Sequence, residues 1–131
     1  MMPKFSRSSS SKLYSCDDRL KTLFMEVIRY YDCKVIYGHR GEWLQNRLFE
    51  KKKTKKRWPN SKHNRLPSQA IDVVPYPVDW QDKERFIYFA GLVMGIAKVR
   101  GIPIRWGGDW NMNWLSSDET FFDGAHYELI G

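Results

Sequence analysis

Histidine and cysteine are scarce in this sequence, and no long apolar run occurs. Its 131 residues include three histidines, His39, His63 and His126, and two cysteines, Cys16 and Cys33. Two cysteines cannot build a disulfide framework, and a chain of this length buries enough of its surface, roughly two thirds, to fold without one. Both are read as reduced thiols of a protein made in a cytoplasm. The absence of any stretch of about 18 apolar residues excludes a helix that spans a membrane, so no membrane insertion is expected. Residues 1–16 carry Lys4, Arg7 and Lys12 among serines, but not the apolar segment of roughly 7–15 residues that a secretory signal needs. The expectation is synthesis in the (host) cytoplasm without a signal peptide, with export left to another protein.

What is present argues for a packed domain. The apolar share is 42%, the aromatic share is 15%, and there are six tryptophans, a composition that a disordered chain does not have. The net charge is +7, from 22 basic and 15 acidic residues. Much of that excess lies in one block: Lys51, Lys52, Lys53, Lys55, Lys56 and Arg57. Such a block is either a solvated loop or a patch that draws nucleic acid, anionic membrane or an acidic wall polymer.

Residues 1–16 are polar and serine-rich and read as a loose N-terminal arm; residues 17–131 read as one domain. Asp17 and Asp18 stand where a helix start favours negative charge, and Leu20, Leu23, Phe24, Val27, Ile28 and Tyr31 then recur at helical spacing. Cys33 to Tyr37 reads as a short strand closed by Gly38, and a helix follows from about Glu42 to Lys52. Ala70 to Val74 is a β-branched strand stopped by Pro75. Between Lys83 and Val99 apolar residues fall on nearly every face, which predicts a deeply buried helix capped by Gly101. Ile102 to Trp106 and His126 to Ile130 read as two further strands. Interleaved helices and strands with few long crossovers predict an α+β fold, a small, mainly antiparallel sheet packed with helices.

Asp72 is the odd residue in its strand. Alternation places it opposite Ile71 and Val73, and a buried aspartate is costly unless a cation or hydrogen bonds hold it. His63 lies just upstream, and His126 opens the last strand. Two imidazole nitrogens and one carboxylate oxygen suit a catalytic zinc with an open fourth position. By spacing alone these read first as ordinary surface histidines and a salt-bridged aspartate, because they lack the tight spacing of an HExxH motif. Likewise Asp123-Gly124 is a common turn pair.

Taken together the motifs resemble a known family. Ser61-Lys62-His63-Asn64 leads into Gln69-Ala70-Ile71-Asp72, then Pro75-Tyr76, Gly107-Gly108-Asp109-Trp110-Asn111, and Asp123-Gly124-Ala125-His126-Tyr127-Glu128. Upstream stand Gly38-His39-Arg40 and Gln45. In this order they resemble the phage L-alanyl-D-glutamate endolysins, which group with the zinc D-alanyl-D-alanine (VanY-like) carboxypeptidases, and the likeness covers about residues 20–131. It implies that residues 17–131 form a zinc peptidase domain with the metal at one sheet edge, held by His63, Asp72 and His126. It also implies Asp123 as the catalytic carboxylate, Arg40 as the arginine that steadies the oxyanion, and Gln45 as a substrate-binding amide. His39 is not read as a ligand. Some relatives bind a regulatory calcium in the region of Asp109, Asn111, Asn113, Asp118 and Glu119, but no EF-hand spacing is present here.

The resemblance therefore implies a peptidoglycan peptidase of endolysin type, acting on the cell wall as a monomer, with Zn²⁺ as cofactor and the basic block drawing it to the anionic wall. The scissile bond is L-alanyl-D-glutamate, or, for a carboxypeptidase, D-alanyl-D-alanine. A nucleic-acid-binding protein is the alternative from another class, but no zinc finger or RNA-recognition signature accompanies the basic block, and no nucleic-acid partner is expected.

Overall fold

The computed structural model describes residues 3–131. Four helices, α1 (Arg7–Tyr14), α2 (Asp18–Val27), α3 (Glu42–Glu50) and α4 (Lys83–Arg100), accompany four strands, β1 (Cys33–Tyr37), β2 (Ala70–Pro75), β3 (Ile104–Trp106) and β4 (His126–Leu129). The strands form one sheet in the order β1-β2-β4-β3, with every neighbouring pair antiparallel. This is the α+β architecture the sequence pattern predicts.

The core lies between the sheet and α2 and α4. Leu20, Leu23, Phe24 and Val27 line one face of α2 and meet Val35, Ile71, Val73 and Tyr127 from the strands. Phe24 packs edge-on against Tyr127 with centroids 5.4 Å apart. Each such side chain, fully buried, contributes about 1.5–3 kcal/mol. The two cysteines are free and buried within this core, and burial pushes both thiols up to about 12. Such thiols are unreactive packing groups at neutral pH.

Two expectations change. The segment 1–16 is not a loose arm throughout, because Arg7–Tyr14 is a helix capped by Ser6, whose side chain accepts the Ser9 N–H. A serine of the helix binds the outer strand of the sheet, and the serine that follows the helix binds the segment after that strand. Ser9 Oγ accepts the Val35 N–H at 3.0 Å, and Ser15 Oγ accepts the His39 N–H at 2.9 Å. Leu13 is buried beneath. Polar side chains thus satisfy and cover a sheet edge that would otherwise be open. Gly38 is required there: a Cβ would lie 2.2 Å from Lys12 O.

Nor is α4 buried all round. Phe86, Phe89, Ala90, Val93 and Ala97 face the core, but Tyr88 is 75% and Val99 86% exposed. Its inner stripe lies on the sheet, and among the described residues nothing covers the outer one. Gly101, at φ 68°, ends the helix in the left-handed conformation that glycine adopts without a Cβ penalty.

Candidate active site

The antiparallel register of the two central strands sets Asp72 directly opposite His126. His63 arrives from a 3₁₀ turn, Lys62–Asn64, held by a capping box. Ser61 Oγ accepts the His63 N–H and Asn64 Oδ1 accepts the Ser61 N–H. The His63 carbonyl in turn accepts the Arg40 N–H at 2.8 Å. All three side chains are buried, and one ligand atom from each lies within 4.8 Å of the others. The cluster sits at the rim of the sheet where β4 begins.

Hydrogen bonding decides what this cluster can hold. His63 Nδ1 lies 2.7 Å from the Gly38 carbonyl, so it must carry a proton, leaving an Nε2 lone pair aimed at Asp72 Oδ1, 3.2 Å away. His126 Nε2 donates to Glu128 Oε1 at 2.8 Å, which leaves its Nδ1 lone pair 3.1 Å from the same Asp72 oxygen. With both rings neutral, three lone pairs converge with no proton between them. Only a cation relieves that arrangement, and His₂-carboxylate is a donor set suited to a divalent metal. The residues therefore fit a metal ion.

The electrostatics agree. Burial opposes the charge on Asp72, yet His63 and His126 beside it hold the carboxyl well below the usual range. Burial also disfavours the His126 cation, but Asp72 and Glu128 outweigh it and raise the ring to about 9. In His63 burial prevails and the pKa falls. Of the two rings, His126 is therefore the one whose neighbours favour positive charge.

Asp123 shares a cleft of about 860 Å³ with these three residues. Its backbone is clamped: the Asp123 N–H donates to Gly107 O at 2.8 Å, and its carbonyl accepts the His126 N–H. A Cβ on Gly107 would lie 2.2 Å from that carbonyl, so only glycine permits the approach. Burial, then the negative charge of Asp72, raises the Asp123 carboxyl to about 6. A carboxylate poised there beside a cluster able to hold a metal ion suits proton transfer near neutral pH.

A family model for the phage L-alanyl-D-glutamate peptidases matches residues 1–130. This chain belongs to that family. It is 30% identical to the L-alanyl-D-glutamate peptidase of Escherichia phage T5 over 97% of this chain and 98% of the relative. The solved structure of Serratia marcescens L-Ala D-Glu endopeptidase ChiX superposes with a TM-score of 0.76 at 25% identity, covering 97% of this chain and 90% of that one.

Arg40 lines the cleft, and its guanidinium also donates to Asp72 Oδ2 at 3.1 Å. That leaves Oδ1 free for the cluster. Gln45 needs correction. It is 0% exposed and stands behind Arg40, accepting from Arg40 Nη1 and Asn64 Nδ2 and donating to Lys56 O at 2.7 Å. An amide so enclosed positions Arg40 and the loop after α3; it cannot touch a substrate. His39 lies outside the cluster, half-buried. Around Asp109 the side-chain oxygens accept from the loop's own Asn113 and Trp114 N–H groups.

Three residues that sequence reasoning passed over support His126. Glu128 binds its ring through Oε1, while Arg105 Nη2 holds Oε2 at 2.7 Å and Lys62 Nζ lies 3.5 Å from it. Burial opposes the charge on Glu128, but the His126 ring and Arg105 outweigh it and bring the carboxyl down to about 2. Period-two alternation was the available signal, since Glu128 follows His126 by two on one strand face. Replacing the charge in Glu128→Gln is expected to weaken metal binding roughly tenfold, the lower end of the range for lost outer-shell partners. Chelator competition measures it, and an unchanged affinity would remove this role from Glu128.

Proposed function

We propose that this chain is a zinc-dependent endopeptidase that hydrolyses the L-alanyl-D-glutamate bond of peptidoglycan stem peptides, as a phage endolysin. The observation that carries the reading is the set of three convergent lone pairs from His63, Asp72 and His126, with Asp123 in the same cleft. Family membership and the activities of the two relatives supply the bond. Zn²⁺ held by the three side chains would supply Lewis-acid polarisation of a peptide carbonyl and acidify water.

The chain's own groups do the rest. Asp123 takes a proton from the attacking water and passes it to the departing amine of the glutamyl residue. Arg40, fixed by Asp72 and Gln45, presents positive charge to the oxygen that becomes negative in the tetrahedral state. Glu128 keeps His126 in the tautomer that directs Nδ1 inward. The working form is read as a monomer made in the host cytoplasm that acts on the cell wall. Among the described residues no helix is long and apolar enough to cross a membrane.

Mass analysis of digested muropeptides tests the bond. The expected products are glycan-linked L-alanine with a free carboxyl and peptides that begin with D-glutamate. Loss of a single C-terminal D-alanine, with no such products, would replace this reading with a carboxypeptidase that uses the same residues.

A further inference from the structure

The basic block is exposed along its length, yet part of it lines the cleft. Lys53, Lys55 and Lys56 line the cleft that holds the metal cluster, while Lys51, Lys52 and Arg57 do not; the Arg57 guanidinium lies over the Phe49 ring instead. The loop is fastened at several points. The Lys53 N–H donates to Leu48 O, Lys56 O accepts from buried Gln45, and the Trp58 N–H donates to Asn46 Oδ1 at 3.0 Å. A run that serves only solubility or long-range attraction needs none of these anchors.

The positive charges of the cleft divide into two sets. Arg40 pairs with Asp72, and Arg105 and Lys62 pair with Glu128. Lys53, Lys55 and Lys56 take part in no ion pair among the described residues. Of these three, Lys55 has its head group placed by a contact: Nζ lies 4.3 Å from the Phe121 ring centroid, where the loop after α3 meets the loop before β4. Phe121 stacks on Trp110, and Trp110 lies against His126, with centroids 6.3 and 5.4 Å apart. An aromatic wall therefore runs from a metal ligand to an ammonium without a counter-ion. A peptide lying along that wall would run from the metal ligand towards the ammonium.

The reading above puts a glutamyl residue next to the scissile bond. Glutamate has two carboxyl groups and the chain continues through one, so the other remains as a free carboxylate or as an amide. We propose that Lys55 is a specificity-determining residue that pairs with this free carboxylate. The peptidase then prefers substrates whose glutamyl residue is not amidated. The inference rests on the L-alanyl-D-glutamate reading and adds to it a basis for choosing among stem peptides.

The test uses the full-length, zinc-loaded protein and two synthetic stem peptides that differ only in a carboxylate or a carboxamide on the glutamyl residue. The readout is the ratio of their kcat/KM values. The wild type is expected to favour the carboxylate by about three- to tenfold, between the limits for exposed and desolvated ion pairs. Lys55→Gln should bring the ratio close to one, and Lys55→Arg should retain most of it. A misfolded variant lowers both rates and leaves the ratio intact, which separates folding damage from lost recognition. A wild-type ratio of one, or a wild-type ratio kept in Lys55→Gln, overturns the role of Lys55 and leaves the peptidase reading standing. Cleavage of neither peptide by the wild type overturns both.

Discussion

His63→Ala, Asp72→Ala and His126→Ala are each expected to abolish wall lysis and to purify with little zinc, because two protein ligands do not complete a tetrahedral site. The three should differ in stability. Asp72→Ala also leaves the Arg40 guanidinium, 7% exposed, without its carboxylate partner, and an uncompensated buried charge costs about 3–5 kcal/mol. That variant should melt well below the two histidine variants. Asp72→Asn keeps an oxygen near Arg40 and should recover part of the lost stability without recovering zinc. Metal analysis and thermal melts check all four. Stoichiometric zinc in the three alanine variants would dismiss the ligand set.

Asp123→Asn should separate chemistry from metal binding. It removes a base and no ligand, so zinc stays near one per chain while turnover falls by roughly 10²–10⁴-fold. The raised carboxyl also predicts a pH effect. Burial comes first among its causes and the charge of Asp72 second, which takes it to about 6. A divalent cation on Asp72 offsets the second cause, so the acid limb of the rate profile should lie at or below about pH 6. Beneath it Asp123 is protonated, cannot accept a proton, and the rate falls.

The stability linkage of Asp123 has the opposite sign from that of a paired carboxylate. Its folded pKa lies above the ordinary 3.8, so its contribution is full below the unfolded value and is lost as pH rises through about 6. At neutral pH the ionised side chain therefore weakens the fold, and Asp123→Asn should melt no lower than the wild type. A variant with near-normal turnover, or one that retains the acid limb, would take the role of base away from Asp123.

Much of this was legible in the chain because the informative residues are rare or out of place. An aspartate between Ile71 and Val73 stands out in an apolar strand, and each of three histidines can be weighed singly. The helices and strands follow from periodicity and from Gly and Pro stops, which are local properties. Where local reading failed, a side chain's partner lay far away in sequence. The serines of α1 look like an unstructured arm until Ser9 is seen to bind Val35, and Gln45 looks like a substrate-binding amide until Arg40, Asn64 and Lys56 enclose it. The exposed stripe of α4 was illegible for the related reason that apolar composition does not reveal which faces find a partner.

By itself the sequence determined the element types beyond α1, the antiparallel α+β class and the identity of the residues able to bind a metal. Only the tertiary structure decided that they meet. Asp72 and His126 are 54 positions apart, and their contact depends on the β2–β4 register, in which a slip of one residue would turn every side chain to the opposite face. The same holds for the lysines after α3. Their charge is a matter of sequence, but their place on the cleft wall follows from the packing of one loop against Gln45 and Phe121. Long-range pairing of this kind is selected by the burial of the whole core, and no local pattern in the chain encodes it.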